Sequence, residues 1–348
     1  MFPGPITQEL QNMIKPNFLA QNFRAIFGLA VLLGCLLISI PVMAEGKQTR
    51  PGNTRGYEVD VLTDTFGYGA DDIDADMDTV FQGCPQRDCI PSIDRPKFLK
   101  TADVGYLDGD DIVLSLTHEN VTRAYPTRIL DRHEIVNDTF GATPVAVTYC
   151  PLCGSGLAFV RVLDGEEVQL GVSGLLHNND LIMYDRKTES LWQQITGQAI
   201  AGPKRGSTLQ SLPVTMNLWE EWKAANPEAE VLALPSGQQQ YLKKTYGDYD
   251  TSDRLLFPVA DQDARLHVKK VIYGVEIGEL PIAVEDGWLK KKGSWEHDIN
   301  GKLLRLEVDD AGGVTGSLEG ETVSVHRMYW FAWYSFHPDT SLIDQRNH

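Results

Sequence analysis

Short apolar runs broken by turn residues fill the chain from Ile112 onward, and this cadence restricts the fold more than any other feature. The runs are Ile112–Leu116, Pro144–Tyr149, Gly156–Leu163, Val168–Val172, Leu181–Tyr184, Leu266–Val275, Leu303–Val308 and Thr322–Val325. Most are too short for a buried helix, and Gly, Asn, Asp or Pro tends to bound them, as strand ends require. Three stretches carry a helical pattern instead. Pro126–Val136 opens with Pro at a first-turn position, Asn217–Ala225 has Asn at an N-cap place with Pro227 beyond, and Met328–Phe336 is aromatic-rich. This balance predicts an α+β protein, predominantly β, with antiparallel sheets and few short helices. It argues against alternating βαβ units.

Two stretches share a cadence: Ile112–Leu116 before Ala124-Tyr125-Pro126, and Val271–Val275 before Pro281–Val284. A faint duplication of a sheet unit would give residues 81–348 two related β-rich lobes within a single domain. Ahead of that domain, residues 45–80 read as a polar linker followed by an acidic segment. Residues 1–44 form an export signal or a membrane anchor. Ala25 to Ala44 is uncharged, Lys15 and Arg24 precede it, and Val42-Met43-Ala44 resembles a small-residue cleavage site. The expected location is periplasmic or extracellular.

Charge narrows the partners. The formal net charge is −17, and removing residues 1–44 takes away Glu9, Lys15 and Arg24 and leaves −18. Such a balance repels nucleic acid and anionic lipid, so membrane contact would run only through the N-terminal segment. Four cysteines then remain in two close pairs, Cys84/Cys89 and Cys150/Cys153. In an exported chain the first pair is read as a local disulfide across Pro85-Gln86-Arg87-Asp88, in preference to metal binding.

The second pair carries the chemistry. Cys150-Pro151-Leu152-Cys153-Gly154 joins two strand-like runs, so the thiols sit at a strand–turn–strand tip. One thiolate can attack a disulfide while the other resolves the mixed intermediate, which makes Cys150 the attacking thiol and Cys153 the resolver. Backbone N–H groups of Leu152, Cys153 and Gly154 would face the Cys150 sulfur. Those donors favour a thiolate, free or metal-bound, and the CPxCG turn equally resembles half of a zinc-ribbon knuckle. Zinc or copper is the cofactor under that alternative. Phosphate-loop, dinucleotide and serine-elbow motifs are missing, and HEIVN has Asn137 where a zinc-protease helix needs its second His.

The strings VTYCPLCGSGLAF (147–159), SGLLHNNDLIMYDRKTESLWQQ (173–194), RAYPTRIL (123–130), HEIVND (133–138) and WFAWYSFHPDT (330–340) occur in this order. Together they resemble the prokaryotic domain-of-unknown-function 3179 family. That family carries no settled function. Some relatives are selenoproteins with selenocysteine at the motif matching Cys150–Cys153, and the resemblance therefore implies redox or nucleophilic chemistry there. The chain departs from the family pattern at Cys84 and Cys89, where turn residues are expected, and at His177, where relatives tend to have Tyr.

Candidate partners for the thiols follow from these motifs. His133 could deprotonate a thiol or ligate a metal. His337 shares one helical face with Trp330, Trp333 and Tyr334, and Pro338 leaves it at a helix C-terminus, where the dipole would raise its proton affinity. The turn holding His177 and Asp180 would line the site, Arg186 would hold a thiolate or anionic substrate, and Trp192 and Gln194 would form a substrate wall. The expected function is an exported thiol-dependent redox protein acting with a thiol or disulfide reductant or a small-molecule substrate. The alternatives are an extracytoplasmic metal-binding protein using Cys150, Cys153, His133 and His337, and a non-catalytic binding protein.

Overall fold

A computed structural model describes residues 59–235, 240–241, 243 and 245–346. The expected signal or anchor, residues 1–44, lies outside the described residues. Among those described, no helix is long and apolar enough to cross a membrane. The chain is predominantly β, and the described residues form five sheets of four or five strands in a propeller-like ring with four short α-helices. Strand pairings are antiparallel except for two. Glu230–Leu232 runs parallel to Val121–Pro126, and Ser341–Ile343 runs parallel to Leu280–Glu285.

Those two exceptions belong to one repeated design. In the first copy the hairpin Ile112–His118/Val121–Pro126 leads into the helix Thr127–Leu130. The chain returns as strand Thr215–Leu218, helix Trp219–Ala225 and the parallel strand Glu230–Leu232. The second copy repeats each step with Val271–Ile277, Leu280–Glu285, Asp286–Lys292, His326–Tyr329, Trp330–Phe336 and Ser341–Ile343. Trp219 and Trp222 stand where Trp330 and Trp333 stand, each pair followed by a polar residue and Pro (Asn226-Pro227 and His337-Pro338). Each second tryptophan packs on the hairpin of its own copy. Trp222 donates to Ser115 Oγ at 2.7 Å, whereas Trp333 lies over Gly274, where a Cβ would come within 2.3 Å of the indole. Gly274 is therefore a packing requirement of the ring above it.

The first copy carries a long insert from Ile135 to Leu212, and this insert holds the cysteines. Thr143–Cys150 and Ser155–Val160 form a hairpin in a sheet with Ile135–Phe140 and Ser211–Leu212. A second hairpin, Leu170–His177 with Asp180–Asp185, belongs to the neighbouring sheet. Buried Asn137 ties the two sheets as a ladder rung would. Its Nδ2 donates to the Leu170 carbonyl at 2.8 Å and its Oδ1 accepts the Leu170 N–H at 2.9 Å. Between them lies one apolar cluster that includes Phe81, Phe159, Trp192, Phe331, Trp333 and both free cysteines. Each fully buried large apolar side chain there contributes about 1.5–3 kcal/mol, so the sulfurs sit in a well-supported interior.

Two sequence expectations are corrected. Pro126–Val136 is helical only over Thr127–Leu130, because Glu134 takes a left-handed φ of 56° and Ile135 begins a strand paired with Thr148. Met328–Phe336 starts as strand and becomes helix only at Trp330, because Met328 and Tyr329 pair with Ile272 and Val271.

Candidate functional site

The turn that presents the thiols is held tightly. The Cys153 N–H donates to the Cys150 carbonyl at 3.2 Å, and the Cys153 carbonyl accepts the Tyr329 N–H at 2.9 Å. Gly154 adopts φ +60°, and a Cβ there would meet the Tyr329 ring at 2.9 Å. Glycine satisfies both demands at once. The turn is thus clamped against the second copy of the repeat, and both sulfurs point inward.

They point at the tip of the neighbouring hairpin. Asn178 and Asn179 both have positive φ (50° and 68°), the geometry of a tight two-residue hairpin turn that asparagine tolerates. This turn aims the Asn179 carbonyl at both thiols, 3.7 Å from Cys150 Sγ and 3.4 Å from Cys153 Sγ. The next residue, Asp180, is fully buried. Its Oδ2 accepts from Gln193 Nε2 at 2.6 Å and from the Ile195 N–H at 3.1 Å. Its Oδ1 has no hydrogen-bond partner, and neither has Asn179 Oδ1. Cys150 Sγ, Cys153 Sγ and a carboxylate oxygen of Asp180 all lie within 4.8 Å of one another.

Three acids therefore share one sealed space. Burial pushes both thiols up, Cys153 more strongly, and lifts the Asp180 carboxyl to about 7. Asp180 raises both thiols further, whereas the two thiols lower Asp180 and only partly offset its burial. None of the groups that shift these three is a cation. Nearby Glu134, also buried, is lifted to about 8, by burial first and then by Asp180 and Asp131. The Cys153 N–H does favour a Cys150 thiolate, but burial outweighs it.

The histidines assigned to the thiols are engaged elsewhere. His133 Nδ1 donates to the Pro91 carbonyl at 2.7 Å, its Nε2 accepts from Tyr241 Oη at 2.8 Å, and burial lowers its pKa. His337 stacks on Trp333 with ring centroids 4.0 Å apart, and its Nε2 lies 3.7 Å from Glu276 Oε1. The expectation that the helix dipole raises its proton affinity is overturned. Burial, aided by His326, drives His337 down to about 4.

The remaining candidates act on the scaffold. His177 Nδ1 donates to Gln193 Oε1 at 2.8 Å, which orients the amide that in turn holds Asp180. Gln194 bridges Ser155 Oγ and Thr148 Oγ1 at 3.0 Å each, bracing the base of the cysteine hairpin. Trp192 is buried, and its Nε1 donates to Asp185 Oδ2 at 3.1 Å, so it forms core instead of a substrate wall. Arg186 holds Asp88 through both guanidinium nitrogens, at 2.7 and 3.0 Å, inside the loop closed by the Cys84–Cys89 disulfide. Of the assigned residues, only Asp180 meets the two thiols. Asn179, Gln193 and Glu134 complete their surroundings without having been assigned. The Asn178-Asn179 pair was the available signal, because adjacent asparagines between strand runs mark a hairpin tip and Asp180 directly follows it.

No curated protein and no solved structure matches the chain. A match to the family described as "Protein of unknown function (DUF3179)" covers residues 87–316, which contain the cysteine hairpin, the asparagine turn and the inserted sheets. The chain belongs to the DUF3179 family.

Proposed function

We propose that Cys150, Cys153 and Asp180 hold a single zinc ion. The observation that carries this reading is the convergence of two thiols and a partly unpaired carboxyl, all buried, within 4.8 Å of one another. Burial in an apolar interior favours the protonated form of all three acids. A divalent cation reverses that balance, because its charge favours all three anions. Loading would release the protons of both thiols and of Asp180. Two thiolates and a carboxylate suit zinc, and the hard carboxylate oxygen disfavours copper(I). Asn179 Oδ1, the other unpaired buried oxygen on the turn, is available as a fourth donor. This ligand set replaces the histidines expected from sequence.

Inaccessibility argues against exchange with a protein disulfide. Cys150 is 1% exposed and Cys153 is fully buried, and a raised thiol pKa leaves little thiolate to attack. A second reading is nevertheless favoured by the Asp180 carboxyl, lifted to about 7 beside both sulfurs. It could accept a thiol proton while a small disulfide oxidises the pair. Both thiols would lose their hydrogens, one disulfide would form, and the small disulfide would leave as two thiols.

Elemental analysis after zinc loading and gel filtration separates the readings. The expected result is one zinc per chain, lost when both cysteines become serine and diminished in Asp180→Asn. A chain that takes up no zinc, yet forms a Cys150–Cys153 disulfide with glutathione disulfide, would overturn the first reading in favour of the second.

A further inference from the structure

A cleft of about 660 Å³ opens beside the cysteine centre, and the roles assigned so far make no use of it. Its apolar wall includes Leu152, Val172, Leu176, Leu181, Leu256 and Phe257. Leu152 lies between the two cysteines in sequence and Leu181 directly follows Asp180, so the inner wall of the cleft is the outer wall of the centre. Asp131, Arg132, Glu134 and Thr245 also line it.

Arg132 and Thr245 are left wanting a partner. Arg132 Nε and Thr245 Oγ1 are buried with no hydrogen bond. The Glu134 side chain, 7% exposed, stands on the same wall. Buried polar groups are ordinarily satisfied, because leaving one unpaired costs about 1–3 kcal/mol. Two such groups on the wall of one apolar cleft, Arg132 and Thr245, therefore point to a bound molecule that would satisfy them.

Their chemistry defines its head group. Arg132 and Thr245 offer an N–H and an O–H, and a protonated Glu134 offers another O–H, so the cleft presents donors and asks for acceptor oxygens. Arg132 supplies one positive charge. A cationic head would face that guanidinium, and a dianionic phosphate would bring two negative charges to one cation with Asp131 on the same wall. We propose that this cleft binds an apolar monocarboxylate, with its chain against Leu176, Leu181, Leu256 and Phe257 and its carboxylate on Arg132 and Thr245. A cavity of this size accommodates a chain of about ten carbons. The inference stands apart from what Cys150 and Cys153 hold, since it rests on different residues.

Calorimetric titration of the full chain with decanoate, 1-decanol and decylamine tests this. Decanoate should bind once per chain, at least about tenfold more tightly than decanol, as one charge-assisted hydrogen bond implies. Decylamine should bind more weakly than either. Arg132→Gln should erase the advantage of decanoate over decanol. Leu256→Trp, which fills the cleft, should abolish binding of both, with circular dichroism verifying that each variant is folded. Equal affinity of the wild type for decanoate and decanol would overturn the proposal. So would an Arg132→Gln protein that keeps the preference, or a Leu256→Trp protein that binds as before.

Discussion

Replacing Asp180 with Asn probes the buried centre through stability alone. The side chain is fully buried, and its carboxyl is lifted from an ordinary value of 3.8 to about 7. A carboxyl with a raised folded-state pKa keeps its proton in the folded chain after the unfolded chain has lost it. From about pH 4 to pH 7 the folded state therefore binds the extra proton, and stability falls as pH rises through that window. Each tenfold change in proton affinity is worth about 1.4 kcal/mol, so the loss is roughly 4 kcal/mol once pH exceeds 7. Asparagine is nearly isosteric. Its Oδ1 can accept the Gln193 and Ile195 donors that Asp180 Oδ2 accepts now, and its neutral amide faces the thiols. Metal-free Asp180→Asn should match metal-free wild type near pH 4 and exceed it by roughly 4 kcal/mol at pH 8. Urea unfolding in chelator from pH 4 to 8 measures this. Zinc should reverse the order at pH 8, because the metal takes the place of the protons it displaces. Two metal-free curves separated by a constant offset at every pH would refute the account of Asp180 as an ionisable member of the cluster.

Other outcomes follow from the same structure. Gly154→Ala should destabilise the chain by about 1–3 kcal/mol, since its φ of +60° and the Tyr329 ring 2.9 Å from a Cβ both oppose a side chain, as urea denaturation would register. Asn137→Ala should cost about 2–4 kcal/mol, because the Leu170 N–H and carbonyl lose their partners across the sheet junction; thermal unfolding would report it. Decanoate affinity should weaken as pH rises through about 8, where ionised Glu134 would repel the carboxylate, and Glu134→Gln should flatten that dependence in calorimetry at pH 7 and 9.

The strands around the cysteines were legible because alternation and turn residues act locally. Pro144–Tyr149 and the Asn178-Asn179 turn needed no knowledge of the rest of the chain. Pro126–Val136 misled because its Pro start is a real helix signal, and nothing nearby reveals that Glu134 will turn left-handed and Ile135 will pair with Thr148. The histidine assignments missed for a related reason. Which hairpin tip meets which is set by sheet packing, and that packing brought Asp180 to the sulfurs while Pro91 and Tyr241 occupied His133. The shared order of hairpin, helix and strand was faint in the hairpins, where many apolar residues serve equally well. It was plainer in Trp219/Trp222 and Trp330/Trp333, whose large rings tolerate few replacements.

The repeated unit also has a consequence for the order in which the molecule assembles. Cys150, Cys153 and Asp180 all fall inside the insert between the two halves of the first copy, within a short reach of one another along the chain. The wall that encloses them cannot shut until residues 328–333 of the second copy pack against their turn, a far more distant contact along the chain and so a slower one. A newly made chain would thus gather its three donors while a path from solvent is still open. Whatever cargo the centre carries would be taken aboard at birth and walled in afterwards.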